Sequence, residues 1–324
     1  MKRRLLLACA VMVVLASGCT TGEADPATTS ESGAAGKAAL NSAANAYARL
    51  TDVLNRLYDK CMAGKGFTVH PRHEPADPAV YSAKEAPLDR PESLGQAREY
   101  GYGIATPLPS KSDDDAGQPD PFDELPAAVQ RDYDQGLTGP GAPNRGEKSL
   151  PGEKEREVFA MPDGNKQFIY KEGCQPETDR AVYGDVKRYV ALRYAATGGL
   201  DRAVWNAASV DPAASTARAE WISCMAGKGY PGVTDSVDAA RKADAYYRNV
   251  NQANPDAVRQ AQDKETTQAV AHAECADQTG VNEKLTAAWH TALSKYLAEH
   301  EADLLAWQDS SETALAKAQN MLAG

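Results

Sequence analysis

The 324-residue chain carries 35 basic and 45 acidic residues, a formal net charge of −10, and 42% hydrophobic residues. That length can bury a sizeable core and allows one large or two small domains. The acidic balance argues against nucleic acid and against electrostatic adhesion to anionic lipid, both of which call for Lys and Arg.

Lys2, Arg3 and Arg4 precede an apolar run from Leu5 to Leu15, and Ala16-Ser17-Gly18 leads into Cys19. A short apolar core behind a basic cluster reads as a secretory signal over residues 1–18, not as a spanning helix. Its small-residue ending reads as a lipobox, in which Cys19 receives a diacylglyceryl group and becomes the mature N-terminus. Ala16 stands where Leu is commoner, and an ordinary cleaved signal is the alternative. Cleavage would remove three basic residues, leaving 32 basic against 45 acidic and a charge of −13. Membrane attachment would then come through diacylglyceryl-Cys19, on the outer face. No later apolar stretch reaches the 18 residues of a spanning helix. Residues 19–37 are polar and small and read as a flexible tether of roughly 25 Å.

From residue 38 the pattern turns helical. Leu40, Ala44, Tyr47, Leu50, Leu54, Leu57, Tyr58 and Cys61 recur at three- and four-residue steps, an amphipathic helix to about residue 63. Residues 68–90 are Pro-broken. Pro91-Glu92 opens a short helix to about Tyr100, ended by Gly101-Tyr102-Gly103. Residues 107–152 form a Pro-, Gly- and Asp-rich insert with one short helix near Pro126–Gln135. Glu157–Met161 and Lys166–Tyr170 flank a Pro-Asp-Gly turn and read as a β-hairpin. Helices are expected over 178–197, 201–209, 235–250 and 255–276. Another starts at Asp211-Pro212, with Asp as N-cap and Pro at N1. The last segment, Val281 to Leu322, lacks Pro and Gly and reads as one helix of about 60 Å, which needs a partner helix alongside.

The chain also repeats itself. Cys61-Met62-Ala63-Gly64-Lys65-Gly66-Phe67 matches Cys224-Met225-Ala226-Gly227-Lys228-Gly229-Tyr230 except in the final ring, and Cys174-x-x-x-Thr178 loosely matches Cys275-x-x-x-Thr279. This reads as a duplicated unit, placing a first unit at 38–200 and a second at 201–324. The repeated string fits a helix ending with Gly66 or Gly229 left-handed at C′, which brings Phe67 to Met62 and Tyr230 to Met225. Lys65 and Lys228 would face the negative helix end. A phosphate cradle is disfavoured, because such loops feed helix N-termini. Four mature cysteines in an exported chain suggest two bridges with three possible connectivities. One bridge per unit selects Cys61–Cys174 and Cys224–Cys275. Zinc would want shorter spacings and a reducing compartment.

The expected fold is therefore mainly α: an elongated antiparallel helical bundle of two disulfide-bonded units with a loop insert and one small hairpin. Chemistry-bearing motifs are scarce. G-x-S-x-G is absent. His70 and His73-Glu74 sit in a Pro-broken loop, His290 and His300 lack a Glu-x-x-His companion, and Asp113-Asp114-Asp115 lacks the rest of a calcium loop. No cofactor or metal is called for. Tyrosine is the enriched aromatic, fourteen against four Phe. Tyr100 and Tyr102, among glycines, and Tyr246-Tyr247 form the candidate contact surface, with helix-end packing as the alternative.

The lipobox, the Cys-Met-x-x-Lys-Gly-aromatic helix ending, Gly101-Tyr102-Gly103-Ile104 and the downstream single cysteine resemble uncharacterised lipoproteins of high-GC Gram-positive bacteria. The resemblance covers most of the mature chain but implies no activity. The expected function is a lipid-anchored, non-enzymatic envelope module that contacts a protein or polymer. A solute-binding lipoprotein and an envelope hydrolase are the alternatives.

Overall fold

The computed structural model describes residues 26–82, 86, 91–106, 120–142, 152, 154–251 and 253–324, with residues 26–32 described as backbone only. The described residues are mainly helical, with one small antiparallel sheet and two disulfides among them. The first helix, α1 (Pro26–Gly64), is about 58 Å long at 1.5 Å per residue. It packs along α10 (Val281–Glu299) and α11 (Glu301–Ala323). Between them come α2 (Leu94–Tyr100), α3 (Ala127–Thr138), β1 (Arg156–Ala160), β2 (Lys166–Tyr170), α4 (Cys174–Tyr183) and α5 (Val186–Tyr194). A π-helical turn, Ala195–Gly199, links α5 to α6 (Leu200–Ser209), followed by α7 (Pro212–Gly227), α8 (Ser236–Asp244) and α9 (Pro255–Thr279).

The expected tether requires correction. Helix α1 begins at Pro26, so residues 26–37 are helical, while residues 19–25 lie outside the described residues. The reason is close helix packing. A Cβ on Gly36 would stand 2.6 Å from the Leu297 carbonyl oxygen, and one on Gly33 would stand 3.2 Å from that of Ser294. Gly33, Gly36, Leu40 and Ala43 thus continue one buried stripe at helical spacing, and its small end lets α1 and α10 backbones touch.

The last helix is also corrected. It divides at His300, whose φ of −112° and ψ of 15° leave the helix. The His300 ring stacks on Tyr296 at 4.1 Å, and the Tyr296 hydroxyl donates to the Ala195 carbonyl at 2.7 Å. These contacts hold the end of α10 without Pro or Gly. A second break falls within 178–197. Gly184 takes a φ of 70°, and Asp185 caps α5 by accepting from the Arg188 N–H at 3.0 Å. Helix α8 stops at Asp244, short of the expected 250.

Both repeated strings end their helices as the local sequence dictates. The Phe67 N–H donates to the Met62 carbonyl at 3.2 Å and Gly66 to Ala63 at 3.0 Å; Tyr230 donates to Met225 at 3.0 Å and Gly229 to Ala226 at 3.1 Å. These are the six-to-one and five-to-two bonds of a Schellman ending. Gly66 and Gly229 sit at φ 98° and 93°. Lys228 pairs with Glu274 at 2.6 Å, a second use for the cation. The bridges are Cys61–Cys174 and Cys224–Cys275. The two second-type cysteines differ in setting. Cys174 is the first residue of α4, whereas Cys275 lies near the end of α9.

Among the described residues three apolar clusters hold the fold. The largest joins α1, α5, α6, α10 and α11 through Leu40, Leu50, Leu200, Leu285 and Trp307, so it crosses the sequence boundary at residue 200. A second sets α2 and α7 against α9 through Ala97, Trp221, Met225 and Ala269. The third, Met62, Phe122, Tyr133 and Cys174, surrounds the first bridge. Strand β1 pairs with β2 from Arg156 opposite Tyr170 to Ala160 opposite Lys166. Asp211 caps α7 as expected, and Asn254 caps α9, each accepting two backbone N–H groups. Among the described residues no helix is long and apolar enough to cross a membrane.

Candidate functional site

The concave feature richest in chemistry is a cavity of about 420 Å³ enclosed by α1, β2, α4 and α5. Its volume falls in the range of small-molecule sites. Tyr47, Thr51, Asn55 and Tyr58 enter from one face of α1 at three- and four-residue steps. Strand β2 contributes Gln167 to Tyr170, α4 contributes Gln175, Asp179 and Tyr183, and α5 contributes Tyr189 and Arg193. The Gly184–Asp185 break turns α5 relative to α4 so that both helices line the same cavity. The first disulfide ties the start of α4 to the end of α1.

The cavity holds charge in an aromatic setting. Asp179 accepts a hydrogen bond from the Tyr58 hydroxyl at 2.6 Å. Burial pushes its carboxyl up to about 6, although the Tyr58 bond and the charges of Arg193 and Arg180 pull the other way. Burial next to the Asp179 carboxylate raises the Tyr58 phenol above the ordinary tyrosine value. Arg193 donates to the Tyr47 hydroxyl and lies over that ring at 5.3 Å. Tyr183 stacks on Tyr189 at 4.0 Å, and burial raises the Tyr189 phenol to about 12. Among the described residues Asp179 and Arg193 form no ion pair within 4 Å, with each other or with any other charge. Arg180 is already committed to the Tyr170 and Lys171 carbonyls.

Of the tyrosines singled out from sequence, three converge on one stripe of α9. Glu265, Gln268 and His272 lie three and four residues apart and are all buried. Glu265 accepts from the Tyr102 N–H at 2.8 Å, the Ile104 N–H at 3.1 Å and the Tyr247 hydroxyl at 2.5 Å. The Tyr246 hydroxyl donates to Gln268 at 2.8 Å, and the Tyr102 hydroxyl meets His272 Nδ1 at 3.2 Å. Tyr102 is buried, which corrects its assignment to a contact surface. The Gly-Tyr-Gly-Ile segment is folded down to satisfy a buried carboxylate. A Cβ on Gly101, at φ 62°, would stand 2.6 Å from Glu265 Oε1, so the glycine is needed for that approach. Tyr100, Tyr246 and Tyr247 are half-buried. His272 is buried against Trp221 at 4.7 Å, and its imidazole falls to about 4 because burial disfavours the cation.

Cys19 and Asp113-Asp114-Asp115 lie outside the described residues. His70 and His73 both close on Asp59, at 3.5 and 3.1 Å, and His70 also meets the Tyr133 hydroxyl at 3.0 Å. Among the described residues no cluster of three metal-type ligands is present.

Sequence reasoning missed Asp179, Arg193, Tyr183 and Tyr189. The available signal was tyrosine density: Tyr183, Tyr189 and Tyr194 fall within twelve residues that also hold Arg193. No protein-family model matches the chain, and no curated protein or solved structure matches it either.

Proposed function

We propose that the protein is an exported, lipid-anchored module that works by binding, with the cavity between α1, β2, α4 and α5 as its ligand site. The observation that carries this reading is the lining itself: tyrosine faces, side-chain amides and two half-buried charges gathered in about 420 Å³. Polar groups placed among aromatic walls fix orientation and specificity in small-molecule sites. Two disulfides suit an oxidising compartment. The Lys2-to-Cys19 segment supports export and diacylglyceryl attachment at Cys19, with the folded domain outside the membrane. In this proposal the two cysteine-closed segments descend from one duplicated unit within an elongated antiparallel bundle. The near-identical Schellman endings at Gly66 and Gly229 support that descent. Kinship with the actinobacterial lipoproteins belongs to the same proposal. Tyr100, Tyr246 and Tyr247 remain candidates for contact with an envelope protein or polymer, since each keeps an exposed edge.

The test is native mass spectrometry of the full chain equilibrated with small molecules extracted from its own cell envelope. Wild type should carry an added mass, and Val190→Trp, which fills the cavity, should not. Bare wild-type protein, or equal occupancy of both, would refute the assignment.

A further inference from the structure

We infer that the cavity between α1, β2, α4 and α5 takes a small zwitterion of the amino-acid type, with its ammonium at Asp179 and its carboxylate at Arg193. The inference rests on the reading of this cavity as a ligand site and names the chemistry of the ligand. A charge withdrawn from water calls for a counter-charge or hydrogen bonds, and Asp179 and Arg193 are both partly withdrawn. Here both stand in one cavity without an ion partner among the described residues. Asp179 has the Tyr58 hydroxyl and Arg193 has the hydroxyl and face of Tyr47, so each charge is held in place by a neutral group. That arrangement leaves carboxylate capacity for an incoming ammonium, and guanidinium N–H groups for an incoming carboxylate.

Competing ligands fit less well. A neutral saccharide would engage Asn55, Gln167 and Gln175 but would leave both charges without a direct ion pair. A simple anion would satisfy Arg193 while adding repulsion at Asp179, and a simple cation would do the reverse. A ligand carrying both charges completes both half-pairs and adds no net charge to the cavity. Arg180 does not compete for the ligand carboxylate, because its guanidinium is bound to two backbone carbonyls.

The experiment uses the full chain in detergent, screened by thermal shift and calorimetry against the L-amino acids and their dipeptides, each at about 10 mM. Mannose and maltose serve as rivals. One or more zwitterions should raise the melting temperature, and the tighter of the free acid and dipeptide series identifies the source. For the best binder, N-acetylation and carboxyl esterification should each weaken binding about tenfold or more. Asp179→Asn should remove sensitivity to the first change and Arg193→Gln to the second. The ligand derivatives test the claim on wild type even if a variant misfolds. A sugar that binds while every zwitterion is silent would overturn the inference and leave the cavity a ligand site. Silence of the whole panel would overturn it too, and the envelope-extract experiment then decides the broader reading separately. Binding that survives either blocking group would also count against it.

Discussion

Asp179 and His272 make opposite demands on the fold as the medium acidifies, and Asp179→Asn exposes the contrast. Burial sets the His272 imidazole near 4 against an ordinary 6.5. The unfolded chain therefore takes up that proton first. Stability from His272 is fully present above about pH 6.5 and drains away as pH falls towards 4. At about 1.4 kcal/mol per pH unit the loss is about 3 kcal/mol. Asp179 runs the other way. Burial raises its carboxyl from 3.8 to about 6, so the folded state takes the proton first. Its favourable contribution is complete below about 3.8 and is lost as pH rises through 6, again by about 3 kcal/mol at most, because the group is only half-buried. The two effects offset each other in wild type across the same window. Asparagine keeps an oxygen to accept the Tyr58 hydroxyl but carries no charge to bury. Asp179→Asn should thus be more stable than wild type at pH 7, by up to about 3 kcal/mol, and the advantage should vanish near pH 4. His272→Asn should be less stable throughout, with a deficit that shrinks on acidification. Urea unfolding at half-unit pH steps measures both. Each variant is compared with wild type, so the exposed carboxylates common to all three cancel. Curves that stay parallel to wild type from pH 7 to 4 would refute the argument.

Other expectations follow from packing and covalent structure. Removing the Cys224–Cys275 bridge should cost up to about 4 kcal/mol and removing Cys61–Cys174 up to about 5, from loops of 51 and 113 residues, read by denaturant unfolding under oxidising conditions. Loss of the first bridge should also weaken ligand capture, since it anchors α4. Gly36→Ala should lower stability by about 1–3 kcal/mol through overpacking against Leu297. Gly64→Ala, where a Cβ meets nothing within 4 Å, should raise it by a few tenths of a kcal/mol or more; the same sign for both would contradict the helix packing described. Metabolic labelling with a clickable fatty acid should mark wild type and spare Cys19→Ala, and equal labelling would end the lipoprotein proposal.

Much of the local structure was legible because its causes are local. The Schellman endings, the cap at Asp211 and the hairpin turn each depend on a few neighbouring residues. The tether was misread because Ser, Gly and Ala in a linker and on a tight helix interface have the same composition. Only the approach of α10 tells the two apart. The break at His300 has no Pro or Gly to announce it, and the Tyr296 ring on which His300 stacks is held by the distant Ala195 carbonyl. Tyrosine enrichment pointed towards a site but not to which tyrosines. Tyr102 is consumed by the Glu265–His272 stripe, whereas Tyr58, Tyr183 and Tyr189 meet only once α4 and α5 fold against α1. The placement of Asp179 and Arg193 in one cavity has no counterpart in sequence spacing.

The claim that this cavity is the working site is tested most directly by NMR of the ring-labelled tyrosines during ligand titration. Tyr58, Tyr183 and Tyr189 line the cavity, while Tyr133 is buried beside the first disulfide and Tyr230 sits at the end of α7. Ligand should shift the first three rings together, with one dissociation constant, and leave Tyr133 and Tyr230 unmoved. Saturable shifts confined to Tyr230 and Tyr246, with the cavity rings silent, would contradict the account.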